Sequence, residues 1–443
     1  MLNNELYRKL VGAKTYLDER IQRADFCSQS CVVAIANYRR FVQYLIDHFS
    51  EIEPSIHQSL FVQLSTVFIP SIRYIERAST ANIPWSILPY LDQMLRELFG
   101  DNHLVLFRPQ WNFNYTVMMA DLVDPLREDL IAALPSRRDE IEQSFRGQRV
   151  HVFSFPYLEK TNVLLHSVIG HEIGHFYYRI WEESSEARKL RHEQNASLST
   201  HYRRQYPRDM MKAYNQTEEG MKVLEGMYRE IFSDICGYQL FGPSMLFALE
   251  DIAVFEASCA RPSSQTHYYP PTKYRIRLLY EKVLPLGSHR RLLLGGNTEC
   301  SKYFAAFLES IASDLADRED LKALADLHKE TQLFQEALPA VIDFVRAHVP
   351  TKYVHVEIVP RLFDKLNESI PINELDGEPV GMSDIILAGW IFHRKITACY
   401  QKDDYITQYQ ILSRLLLKSL YSSYIHADYI QWRRSADGYP LKA

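Results

Sequence analysis

Five consecutive residues do most to limit what this chain can fold into: His171-Glu172-Ile173-Gly174-His175. On an α-helix, residues four apart stand one above the other at about 6 Å, so both imidazoles reach a single ion. On a strand the same spacing separates them by about 13 Å. Helical geometry also sets Glu172 about 100° round the axis from His171, where a carboxylate can touch a water at the metal without ligating it. Leu164 and Val168 share a stripe with His171 and His175, so the ligands rise from a face that is otherwise buried. Gly170 and Gly174 each weaken a helix by about 1 kcal/mol relative to Ala. Their presence implies that something packs closely there, either a neighbouring element or a substrate. At this composition the motif has a chance expectation of about 0.04.

Zinc at such a site needs a third protein ligand and a fourth position left open. A downstream helix offers Glu230-Ile231-Phe232-Ser233-Asp234. Glu230 and Asp234 are again four apart on one face. Glu230 is expected to bind the metal, and Asp234 to accept the Nδ1 proton of a ligand histidine and fix its tautomer. Glu225 lies off that face. His166 points to a different side from His171 and is expected to be structural. His151 begins a strand and has no partner that the sequence can name.

The combination of His171-Glu172-x-x-His175 with Glu230-x-x-Ser233-Asp234 resembles the gluzincin metallopeptidases, the thermolysin-like superfamily. The resemblance covers about residues 150–280 and implies a zincin-like core in which a sheet edge strand, here Arg149 to Phe155, feeds the first helix. One departure is that Glu230 lies 55 positions after His175, a longer connection than thermolysin has. The charged stretch 182–220 fills it and is expected to be a solvated helical insertion, forming a lid or a wall of the cleft. A second segment, Thr266-His267-Tyr268-Tyr269-Pro270-Pro271 with Arg275, is similar to the T-H-P-x-x-x-x-R-I segment of the prenyl-protein endopeptidases and their soluble relatives. There a histidine stabilises the oxyanion. By that resemblance either His267 or Tyr269 takes the role here, since imidazole and phenol can both donate to a developing oxyanion; Tyr228 or Arg275 could assist. Prenylated substrates do not follow from it.

The rest of the chain reads as mainly α with a small β-sheet, an α+β arrangement with helical flanks. Helical periodicity runs through residues 1–100, with Leu10, Leu17 and Ile21 on one face, and Ile69-Pro70 and Ile83-Pro84 as breaks. Strands are expected at His103 to Phe107, Phe113 to Val117 and Arg149 to Phe155, with one charged helix from Pro125 to Phe145. A long helix is expected from about Lys160 to Trp181, another from Met221 to about Leu240, and strand character near Tyr353 to Val359. These suggest an N-terminal helical region at 1–100, a catalytic core at 101–294 and a C-terminal helical region at 295–443.

Composition excludes some classes. The 55 acidic and 50 basic side chains give a net charge of −5, so there is no broad basic field for nucleic acid. No run is apolar enough for a membrane helix. There is no secretory leader before Lys14, and six cysteines stand without paired rhythm, so a cytoplasmic location with reduced thiols is expected. Cys27 and Cys31, four apart, have no His or further Cys nearby to complete a metal site. No Gly-rich phosphate loop or Gly-x-Ser-x-Gly elbow is present.

The function expected is zinc-dependent hydrolysis of peptide bonds in a peptide or protein substrate. His171, His175 and Glu230 hold Zn2+, Glu172 is the general base, and His267 or Tyr269 the oxyanion donor. Nothing resembles the run that captures a peptide amino terminus, so aminopeptidase action is not favoured. Two alternatives stand beside this. One is a regulatory protein with a latent site that meets protein partners through its helical flanks; the other is a metallohydrolase of non-peptide amides.

Overall fold

The apolar spacing of the N-terminal residues is satisfied by paired helices. Helix α1 (Leu2–Arg23) buries Leu6, Leu10 and Leu17 against α2 (Gln29–Asp47), which turns Ile35, Val42 and Leu45 inward. Ile21, expected on the same face, is exposed. The structure, a computed structural model, describes residues 2–23, 29–52, 56–63, 65–66, 87–100, 103–111, 115–120, 124–144, 149–258, 269–286, 290, 293–296, 298–350 and 354–437. The expected breaks at Ile69-Pro70 and Ile83-Pro84 lie outside these residues, as do Cys27 and His267. Helices α3 (His57–Gln63) and α4 (Leu88–Phe99) follow.

A three-stranded sheet comes next, built from β1 (His103–Gln110), β2 (Thr116–Ala120) and, after two helices, β3 (Arg149–Pro156). The strand order is β1-β3-β2, with β3 parallel to β1 and antiparallel to β2. Thus β3, expected at the edge, is central. The reason lies in its side chains: Val150, His151, Val152, Phe153, Ser154 and Phe155 are all buried, and a strand apolar on both faces is stable between neighbours. His151 is buried and stacks on Phe99 at 5.7 Å. The single helix expected before β3 is two, α5 (Asp124–Ala133) and α6 (Arg138–Ser144), because Pro135 opens a short 3-10 turn between them.

By packing, the chain divides into two compact units, 1–161 and 162–443. The second begins with a buried 3-10 segment, Val163–Val168, and only then becomes the α-helix α7 (Ile169–Glu182), so the motif helix is shorter than its sequence suggests. It continues through α8 (Ser185–Gln205), α9 (Met210–Phe241), α10 (Ser244–Ser258) and α11 (Thr272–Leu278). Helix α9 starts eleven residues before the expected Met221, capped by the Asp209 side chain on the Lys212 amide. It ends at Gly242, whose φ of 58° no β-carbon would favour. Then come α12 (Glu299–Asp314), α13 (Glu319–Ala323), α14 (His328–His348) and α15 (Val359–Asn367), before α16 (Met382–Cys399) and α17 (Lys402–Asp437).

The strand expected near Tyr353 to Val359 does not form in its described part; residues from 354 turn into α15. The local strand pair is instead β4 (Glu374–Leu375) and β5 (Glu378–Pro379). They flank Asp376-Gly377, which both adopt positive φ, 56° and 82°, the geometry of the two-residue hairpin turns that suit right-twisted strands. The charged stretch 182–220 is only partly solvated. Gln194 Nε2 donates to the Leu333 carbonyl at 3.3 Å and Tyr202 donates to the buried Glu330, which pins α8 to α14. The described chain is therefore mainly α with a small sheet. Among the described residues no helix is long and apolar enough to cross a membrane.

Candidate metal centre

The centre is made by two helices that approach unusually closely. A β-carbon at Gly170 would lie 2.7 Å from the Phe241 ring and 2.9 Å from the Gly237 backbone. One at Gly174 would lie 2.5 Å from Ser233 Cα. The small residues of α7 thus sit on Ser233 and Gly237 of α9, and the close neighbour that the glycines imply is a helix. This approach brings Glu230 of α9 beside the histidines of α7. Ligand atoms of His171, His175 and Glu230 all lie within 4.8 Å of one another.

Each histidine is held at Nδ1. His171 donates from Nδ1 to Asp234 Oδ1 at 2.8 Å, which leaves Nε2 facing Glu230 Oε2 at 3.4 Å. His175 Nδ1 lies 3.0 Å from the Ser233 hydroxyl oxygen. That hydroxyl has one proton and gives it to the Arg229 carbonyl at 2.7 Å. The ring must then be the donor, which puts the proton of neutral His175 on Nδ1 and the lone pair on Nε2. Both rings therefore aim an unprotonated-capable Nε2 at the same space, one ring edge-on to the other at 4.7 Å.

Charge follows the same geometry. Asp234 is fully buried, and burial alone would raise its pKa. The Arg275 guanidinium outweighs this, donating from Nε and Nη2 at 2.7 and 2.6 Å, and with the His171 bond it holds Asp234 ionised. Burial likewise opposes charge on Glu230 and is overcome by His171 and Arg275, which leave it well below the usual carboxylate range. For His171, burial disfavours the imidazolium, yet the two carboxylates that accept its protons push it up to about 9. His175 is pushed down to about 3 by burial and then by the neighbouring His171. Any cation entering here displaces a proton from His171, as expected where ligands must be deprotonated.

The sequence-derived residues fall into three groups. His171, His175, Glu230 and Asp234 meet at one point, and Glu172 is buried on the same helix as the two histidines. Tyr269 is described and exposed; its ring carries the Arg229 guanidinium at 5.6 Å from the ring centre. The two residues expected to assist the oxyanion donor are placed differently. Tyr228 is buried against Trp181 and Phe334, and its hydroxyl oxygen accepts from Gln194 Nε2. Arg275 is committed to Asp234, where its charge is neutralised by a bidentate pair. Ser233, which the motif spacing alone gives no role, lies three residues after Glu230 on the face that meets His175. Compared with models of protein families, with curated proteins and with solved structures, the chain gives no match.

Proposed function

We propose that this protein is a zinc-dependent metallopeptidase of gluzincin type, with a zincin-like core. The reading is carried by one observation: Asp234 and Ser233 occupy Nδ1 of both histidines, so two Nε2 atoms and a carboxylate oxygen converge. Two imidazoles and one carboxylate are a donor set that suits zinc and leaves a position for water or substrate. His171, His175 and Glu230 would hold the ion. Bound there, zinc supplies Lewis acidity that lowers the pKa of a water towards neutrality and polarises a carbonyl. The Glu172 carboxylate takes the proton of the attacking water and passes it to the leaving amine, as base and then acid. Asp234, kept ionised by Arg275, holds the proton on His171 Nδ1, and the Ser233 oxygen receives that of His175. His267 and Tyr269 are the two candidates for donating to the oxyanion, and a peptide or protein is the substrate.

The test pairs metal analysis of the purified full chain with cleavage of a peptide library. We expect close to one zinc per chain, and a Glu172→Gln variant that keeps the metal but cleaves about 10²–10⁴-fold more slowly. Absence of zinc, or cleavage indifferent to Glu172→Gln, would sink the reading.

A further inference from the structure

Among the described residues two guanidiniums stand at the centre, and they are used differently. Arg275 is 12% exposed, spends Nε and Nη2 on Asp234, and sets Nη1 3.9 Å from Glu230 Oε2. Arg229 precedes Glu230 on α9, and its Nε donates to Glu230 Oε1 at 3.3 Å. The other oxygen of that carboxylate, Oε2, is the one facing His171 Nε2. Arg229 therefore grips the outer oxygen of the third ligand. Its guanidinium also lies over the Tyr269 ring, a cation–π contact that fixes its plane. Neither terminal amino group of Arg229 has a hydrogen-bond or ion-pair partner among the described residues. With its side chain 29% exposed and Tyr269 58% exposed, the pair reaches solvent at the edge of the centre.

Arg229 thus brings two unengaged, partly exposed amino groups to the edge of the centre. A planar fork of donors beside such a centre matches a carboxylate better than any neutral group.

We propose that Arg229, held in place by Tyr269 and Glu230, recognises a carboxylate of the substrate. The preferred substrate is then a peptide with a carboxylate close to the scissile bond, from an acidic side chain or a free C-terminus. This rests on the peptidase reading and names the substrate class of that site.

The experiment uses the full-length, zinc-loaded protein and four matched fluorescent peptides. They carry Glu or Gln near the centre, each with a free or an amidated C-terminus. Cleavage is followed with the natural chain, and binding without turnover with Glu172→Gln by fluorescence polarisation. We expect carboxylate-bearing peptides to be favoured by about 10- to 100-fold, through KM and Kd more than kcat. Arg229→Gln added to either background should abolish that preference, while Arg229→Lys keeps part of it; zinc content and melting temperature confirm that each variant is folded and loaded. The Glu and free-terminus arms separately tell which source supplies the carboxylate. Equal preference with and without Arg229, no preference at all, or no binding of any peptide overturns the proposal. Cleavage without carboxylate preference removes only the subsite and leaves the peptidase reading standing. Binding to the Glu172→Gln protein that depends on Arg229, with no turnover by the natural chain, removes the peptidase reading and leaves the subsite.

Discussion

Ser233 brings one hydroxyl to the centre, and its two hydrogen bonds decide which nitrogen of His175 carries a proton. Because its own proton goes to the Arg229 carbonyl, the oxygen can only accept from Nδ1. Without it the His175 ring is free to place its proton on Nε2, or to rotate, and either change removes a ligand from the converging set. Groups behind metal-binding histidines contribute about 10–100-fold in metal affinity. A Ser233→Ala variant should therefore bind zinc at least about 10-fold more weakly while melting within a few degrees of the natural protein in chelator. Competition against a chromophoric chelator measures the first, and a thermal melt the second. Undiminished zinc affinity would mean that His175 is oriented by packing alone. Asp234 does the same for His171, but its removal also strands the buried Arg275, so a defect there mixes ligand orientation with an unpaired charge.

At the scale of elements, the contact between α7 and α9 is what converts two local motifs into one site. The glycines on α7 can be tested against a glycine with no such duty. At Gly174 a methyl group would meet the Ser233 backbone at 2.5 and 2.8 Å, so the helices must part. At Gly12, on α1, it would meet nothing within 4 Å. Gly174→Ala should destabilise the protein by about 1–3 kcal/mol and weaken zinc binding, although Ala is the better helix former. Gly12→Ala should leave zinc binding alone and stabilise by up to about 1 kcal/mol. Denaturant unfolding of both variants checks the signs, and a neutral or stabilising Gly174→Ala would show that the helices do not rely on this approach. The same contact explains what the sequence could reveal. Spacing within one helix is local, so His171 with His175, and Glu230 with Ser233 and Asp234, can be read directly. The partner of the glycines was less visible, yet Ser233 and Gly237 repeat the four-residue spacing of Gly170 and Gly174. The pairing of Arg275 with Asp234 joins residues 41 apart, and the central place of β3 depends on strands brought in from both sides. Neither follows from periodicity, because chain closure and burial decide them. The Asp376-Gly377 hairpin was legible in principle, since few other dipeptides tolerate positive φ at both positions.

For the whole molecule, the centre gathers residues 171 to 275 from three helices, α7, α9 and α11, all within the unit 162–443. Its buried carboxylates, Glu230 and Asp234, are held by cationic partners, with His171 charged between them when no ion is bound. Exchanging that proton for a divalent ion ties α7 to α9 through stronger bonds, with α11 joined to them through the Arg275–Asp234 pair, and whatever binds only the folded state stabilises it by mass action. At a free zinc concentration of 100 times Kd this amounts to about 2.7 kcal/mol. The gain should be unevenly distributed, because the sheet of β1, β2 and β3 supplies no ligand and serves as an internal control. Hydrogen exchange on the full chain, with zinc and after chelation, is expected to slow in Ile169–Glu182, in the C-terminal half of Met210–Phe241 and in Thr272–Leu278. Exchange in His103–Gln110 and Arg149–Pro156 is expected to stay the same. Protection that rises equally in both units, or not at all, would mean that zinc does not bind where His171, His175 and Glu230 converge.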